Sequence, residues 1–313
     1  MKESFNPWGV TFRQGLFNMT SDSDLFRTAA QLTGDGAKRD GPNWIGRDQQ
    51  VWVPLYEAKM VHQFDHRWAT YEDNGSDSRE LTDAEKRDPA SFAQPRYWIK
   101  DSDKELALAG RQARQWLMGW RDITNATNER TVIAGVVPRV GVGHTFPLFF
   151  TATGDARKEC ALLANWNSLV FDFVARQKVG GTHLTYGYLK QFPALPPDHY
   201  TPTDLNYIAP RVLELTYTAH DLAPFARDLG YEGAPFPWDP ERRARLRAEL
   251  DAYYGKLYGL TRDELRYILD PADIYGEDYP SETFRVLQKN EIRQFGEYRT
   301  RRLVLEAWER LIC

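Results

Sequence analysis

Apolar residues at Leu162, Leu163, Trp166, Leu169, Val170, Phe173 and Val174 follow one another at three- and four-residue spacing. That period predicts one long helix from Asp155 to about residue 178 with a broad apolar face. Asp155 is a capping residue type at its start. Gly180-Gly181 stands where the helix should stop, because glycine takes up backbone conformations other residues avoid. Arg176 and Lys178 fall in the last turn. The loop Gly180-Gly181-Thr182-His183 follows, then a short strand-like run ending in Gln191-Phe192-Pro193 and Pro196-Pro197. The stretch is expected to bury a helix and deliver a basic, glycine-rich loop to the surface.

The same reading places strands at 50–56, 97–99, 131–137 and 144–151, where β-branched and aromatic residues cluster. Helical spacing runs over 105–117. Residues 72–95 are polar and read as a flexible surface insertion. After the proline-containing stretch PPDHYTPTD, a linker by composition, the chain turns helical and acidic. Asp239-Pro240 opens a helix striped by Leu246, Leu250, Tyr253 and Leu257 and ended by Gly259. Thr261-Arg262-Asp263-Glu264 reads as a capping box. A final helix is expected from about 290 to 312, carrying Ile292, Phe295, Leu303, Val304 and Trp308. The pattern predicts an α+β protein. A mixed β-sheet domain over 1–200 contains the long buried helix, and a helical domain follows over 201–313.

Composition narrows the class. Of 313 residues, 42% are hydrophobic and 27% charged, and Trp, Tyr and Phe (10, 16 and 16) supply ample core material. No apolar run approaches the roughly 20 residues that span a bilayer. MKESFNPWGV has no apolar signal segment. Two cysteines, Cys160 and Cys313, suit a reducing compartment, and the expected location is cytoplasmic. The net charge of −4 hides an asymmetry. Residues 96–190 hold 13 Lys/Arg against 8 Asp/Glu, a balance of +5, so the remainder sums to −9. A nucleic-acid-binding face needs local rather than global positive charge.

The candidate chemistry is sparse. No glycine-rich phosphate loop follows a strand, no zinc spacing is present, and no Gly-x-Ser-x-Gly elbow occurs. His62 and His66, four apart, have the spacing of metal ligands but lack a third partner. Asp65 with Glu57 and Lys59 resembles a scattered nuclease carboxylate–lysine set. Arg121, Asp122, Asn125, Asn128 and Arg130 read either as a hydrogen-bonded turn fixing the strand after it or as DNA contacts.

The wording YEAKMVHQFDHRWATY, PRYW, WLMGWRDITNATNERT, LLANWNSLVFDFVARQKVGGTHLTYGYLKQFPALPP and DPADIYGEDYPSETFRVLQKNEIRQFGEYRTRRLVLEAW resembles the C-terminal region of large adenine-specific DNA methyltransferases. These are the Eco57I-like enzymes of restriction–modification and phage defence (type IIG, BREX and DISARM relatives). The likeness starts at NPWGVTFRQGLFNMTSDSDLF and keeps the motif order over nearly the whole chain. It implies a target-recognition region for double-stranded DNA. In the family, an N-terminal methylase domain binds S-adenosylmethionine and carries an Asn-Pro-Pro-Tyr motif. Here Asn-Pro occurs only as Asn6-Pro7, followed by Trp8-Gly9. The expectation is therefore a truncation, split subunit or stand-alone remnant with no catalytic residues, metal or cofactor of its own. From chemistry and position, Lys59, Arg67, Arg176 and Lys178 are candidates for phosphate contact. His62, Gln63, Gln177, Thr182 and His183 are candidates for base edges. The rival readings are a Mg²⁺-dependent nuclease using Asp65, Glu57 and Lys59, and a scaffold docking to a separate methylase through its helical tail.

Overall fold

Val51, Val53 and Leu55 alternate with Trp52 and Pro54 along one strand, and this two-residue period organises the larger sheet. The computed structural model describes residues 6–72, 74–111, 114–280 and 283–312; Asp73 of the polar stretch, Cys313 and the N-terminal MKESF lie outside the described residues. In chain order the strands are β1 (Thr11–Arg13), β2 (Lys38–Asp40), β3 (Asn43–Ile45), β4 (Val51–Tyr56), β5 (Ala69–Tyr71), β6 (Ser78–Glu80), β7 (Tyr97–Lys100), β8 (Trp116–Trp120), β9 (Ala134–Pro138), β10 (Gly141–Val142) and β11 (Leu148–Phe150). The helices are α1 (Ala29–Gly34), α2 (Asp83–Arg87), α3 (Asp101–Leu108), α4 (Ala156–Asn167), α5 (Leu169–Lys178), α6 (Tyr186–Leu189), α7 (Pro202–Thr216), α8 (Ala223–Asp228), α9 (Pro240–Leu257), α10 (Arg262–Leu269), α11 (Ala272–Tyr275), α12 (Arg285–Phe295) and α13 (Arg299–Ile312). The fold is α+β, with mixed sheets and a helical C-terminal region.

The chain divides into two compact units. Unit 1 is Met1–Asp122, Ala134–Ala156 and Leu213–Trp238; unit 2 is Ile123–Ile133, Arg157–Val212 and Asp239–Cys313. This division does not follow a boundary near 200. Both units are assembled from segments distant in sequence.

Unit 1 holds an antiparallel sheet in the order β1-β11-β8-β9 and a mixed sheet in the order β10-β4-β3-β2, with β7 also on β4. β10 runs parallel to β4, and β3 and β7 run antiparallel to it. Val53, Leu55 and Ile99 point into one core with Leu117, Val137, Phe146 and Leu148. Residues 72–95 are not an open loop. They contain β6, hairpin-paired with β5, and α2, whose capping box uses Thr82 and Glu85. Leu81, Lys86 and Ala93 within the stretch are buried.

Unit 2 is helical. Leu169 and Val170 of α5 pack with Leu265 and Ile268 of α10 and with Val304, Ala307 and Trp308 of α13. Ala244, Ala248 and Ala252 repeat every fourth residue on α9, and this smooth stripe joins the same core. Asp239 caps α9 by accepting from the Glu241 and Arg242 amides, and the Thr261–Glu264 capping box opens α10, both as the sequence indicates.

Four expected elements differ. The long helix from Asp155 is two helices, α4 and α5, because the Ser168 hydroxyl accepts from the Phe171 amide and so caps a new start. The run after Gly180-Gly181 forms α6 rather than a strand. Helix 105–117 ends at Leu108, and Trp116 enters β8, where the whole strand is buried. The last helix is broken into α12 and α13 at Gly296, whose φ of 76° is left-handed.

Candidate nucleic-acid interface

In unit 1 the segment 57–68 makes a tight reversal. His62 and Asp65 exchange backbone hydrogen bonds of 2.7 and 3.0 Å. Phe64 between them has φ 58°, a left-handed conformation costly for an aromatic residue, and its ring is buried. Two arginines hold the reversal. Arg67, with no exposed surface, donates through Nη1 to the carbonyls of Asp88 (2.9 Å) and Ser91 (2.7 Å), and through Nη2 to those of Lys86 (2.8 Å) and Thr218 (2.9 Å). Arg121 donates through Nε to the carbonyls of Ala58 (3.0 Å) and Val61 (2.6 Å). Burial pushes the Arg121 guanidinium down to about 10, which leaves it charged at neutral pH.

Arg67 is therefore corrected from a phosphate contact to an internal clamp. Gln63, 4% exposed, is likewise withdrawn from base reading. Lys59 stays exposed, its ammonium 4.2 Å from the Tyr71 ring centroid. His62 is half-buried and stacks on Trp68 with 4.3 Å between ring centroids. Asp65 pairs with buried Lys86 at 2.6 Å and accepts from the Arg67 amide. Glu57 accepts from the Tyr71 hydroxyl, and His66 bonds Asp221 at 2.8 Å. The nuclease-like carboxylates thus face inward to structural partners. Among the described residues no group of three His, Cys, Asp or Glu could hold a metal ion.

In unit 2 the loop after α5 is built together with the turn 123–131. Asp172, fully buried on α5, accepts from the Thr131 (2.9 Å) and Val132 (3.1 Å) amides and pairs with Arg130 at 3.0 Å. Arg176, one turn on, donates to the carbonyls of Ala126 (2.9 Å), Asn128 (2.8 Å), Glu129 (2.5 Å) and Thr283 (2.8 Å). Its side chain is only 5% exposed, so it too is corrected from a phosphate contact to a clamp. The Thr124 amide donates to the Thr182 carbonyl at 3.0 Å, and Ile123 bridges His183. Within the turn, the Thr124 hydroxyl donates to the Thr131 carbonyl, and the Asn125 side chain accepts from Thr127. Asn125, Asn128 and Arg130 thus sit in a hydrogen-bonded turn, whereas Arg121 holds the reversal 57–68 of unit 1.

What the clamps leave on the surface is a polar rim. Gln177, Lys178, Gly180, Gly181, Thr182 and His183 are all exposed, as are Thr127 and Asn128 of the turn. The structure brings together the four candidates of this loop that remain; Lys59 and His62 belong to unit 1. Sequence reasoning missed Tyr186, 49% exposed, and Lys190, whose ammonium lies 5.2 Å from the Tyr186 ring centroid. One signal was available: no Asp or Glu occurs between Asp172 and Asp198. The rim offers two lysines, several neutral hydrogen-bonding side chains and an open glycine pair, with no carboxylate of its own segment to repel a polyanion. No helix of the described residues is long and apolar enough to cross a membrane. No family model matches the chain, and no curated protein or solved structure does so.

Proposed function

We propose that this chain is the DNA-recognition module of an adenine-N6 DNA methyltransferase of restriction–modification or phage defence, working in the cytoplasm. Methyl transfer and S-adenosylmethionine binding belong to a methylase domain or subunit with which it acts. The observation that carries the reading is the acid-free rim 177–190, held to the turn 123–131 by Asp172 and Arg176. A loop whose backbone is held before binding loses little backbone conformational entropy on contact, which favours affinity and discrimination together. Lys178 and Lys190 hold phosphates, which set register without reading sequence. Gln177, Thr182, His183 and Asn128 reach base edges in the major groove. The motif resemblance supplies the enzyme class; the rim supplies the chemistry.

The test is a binding selection on random duplexes, followed by titrations on the enriched site at several salt concentrations. The parent should enrich one sequence. Lys178→Ala should weaken binding to all duplexes alike and lower the slope of log affinity against log salt by about 0.9. His183→Ala should cost about 1–3 kcal/mol on the enriched site and little on random DNA. Absence of duplex binding at low salt, or two folded variants that bind as the parent does, would overturn the reading.

A further inference from the structure

The outer face of the β2-β3-β4-β7 sheet in unit 1 carries a row that the duplex reading does not use. Arg39 of β2 stands opposite Trp44 of β3, Trp44 opposite Trp52 of β4, and Trp52 opposite Lys100 of β7. Directly paired residues share a sheet face. The core-facing residues of the same strands, Val53, Leu55 and Ile99, point the other way, so this row lies on the face away from that core. Arg39 and Lys100 are exposed, and both indoles are half-buried.

Both rings of the row have a cation over them. The Arg39 guanidinium lies 5.3 Å from the Trp44 ring centroid. The Lys100 ammonium and the Arg27 guanidinium lie 5.7 and 5.8 Å from that of Trp52. The two arginines are anchored. Arg39 donates to the Gly41 carbonyl and the Gln94 side chain, and Arg27 to the carbonyls of Asp24 and Phe26. The row itself contains no carboxylate. Three strand gaps separate its ends, a span of about 14 Å.

We infer that this row is a binding platform for a single-stranded nucleic acid. Unpaired bases stack on the Trp44 and Trp52 indoles, while Lys100, Arg27 and Arg39 neutralise the flanking phosphates. Charge complementarity selects the occupant: a polyanion matches three cations and no acid, and flat apolar bases match two indoles on adjacent strands. Sheet faces of this kind stack two or three bases with little sequence preference. The inference stands on unit 1 and does not need the duplex contacts of the rim.

The probe is a 15-nucleotide oligo(dT), titrated against the full chain at low salt with indole fluorescence as readout. The parent should bind with quenching. Trp52→Ala should weaken binding about tenfold or more, and Trp52→Phe should restore most of it. Lys100→Ala, at an exposed position, should lower the salt slope by about 0.7. Lys178→Ala should leave oligo(dT) binding unchanged while weakening duplex binding, which separates the two sites. No oligo(dT) binding by the parent overturns the inference, as does parent-like binding by a folded Trp52→Ala. If Trp52→Ala does not fold, Lys100→Ala decides, and an unchanged salt slope overturns it.

Discussion

A charged residue in this chain acts according to what desolvates it. Arg67 and Lys178 carry the same formal charge, yet one is sealed among four backbone carbonyls and the other is exposed. Asp251 shows the same control on a carboxyl group. It accepts from the Leu169 amide at 2.7 Å, and burial raises its pKa from the ordinary 3.8 to about 6, opposed by the positive field of Arg130. In the folded protein this group holds its proton to higher pH than in the unfolded chain. Its contribution to stability is therefore complete below about pH 4 and is lost as pH rises through about 6. Between those limits it should remove about 1.4 kcal/mol of unfolding free energy per pH unit. Urea titrations at pH 4.5 and pH 6.5 should show that fall in the parent, and Asp251→Asn should flatten it. An equal fall in the variant would place its origin elsewhere.

At the scale of elements, small polar residues decide where helices break. Apolar spacing runs unbroken from Leu162 to Val174 and marks no joint. The joint sits at Ser168, whose side chain accepts from the Phe171 amide at 3.2 Å, while Asp251 takes the Leu169 amide. Two amides at the start of α5 thus have side-chain acceptors. The break ends one helix and sets the direction of the next, on which Asp172 and Arg176 hold the rim. Ser168→Ala should cost about 1 kcal/mol, the usual loss for an N-cap, read as a lower urea midpoint with unchanged slope. A neutral substitution would mean that the break is imposed by packing alone. The same physics governs Gly296. Its left-handed backbone is within easy reach of glycine alone, and it divides an amphipathic pattern that otherwise reads as one helix.

At the scale of the molecule, each unit is knitted from distant segments. The Arg67–Thr218 hydrogen bond spans 151 positions, and Asp172 joins α5 to a turn some forty residues earlier. Such closure makes the surface a product of the whole fold. The cofactor expectation rests on the sequence, which shows no glycine-rich loop after a predicted strand, the usual cradle for a nucleotide-like cofactor. Calorimetric titration with S-adenosylmethionine should show no heat of binding to this chain alone. Micromolar binding would contradict the division of labour proposed above.

The sequence by itself settled what depends on near neighbours. Asp239-Pro240, the Thr261–Glu264 box, strand β4 and the exposure of the loop around Gly180-Gly181 follow from caps, alternation and glycine, all effects of a few residues. The tertiary structure alone decided which polar groups face water. Nothing local separates Arg176 from Lys178 two positions on; what separates them is a set of carbonyls about fifty residues earlier that accepts from one and leaves the other outside. The polar run 72–95 misled for the same reason. Lys86 within it is buried because Asp65 pairs with it and the rings of Trp68 and Trp238 flank it, at 5.0 and 4.5 Å. The cross-strand row Arg39–Trp44–Trp52–Lys100 was invisible until the strands were in register, since its members are scattered over sixty residues. Desolvation and register are sums over the whole chain, and no window of sequence contains them.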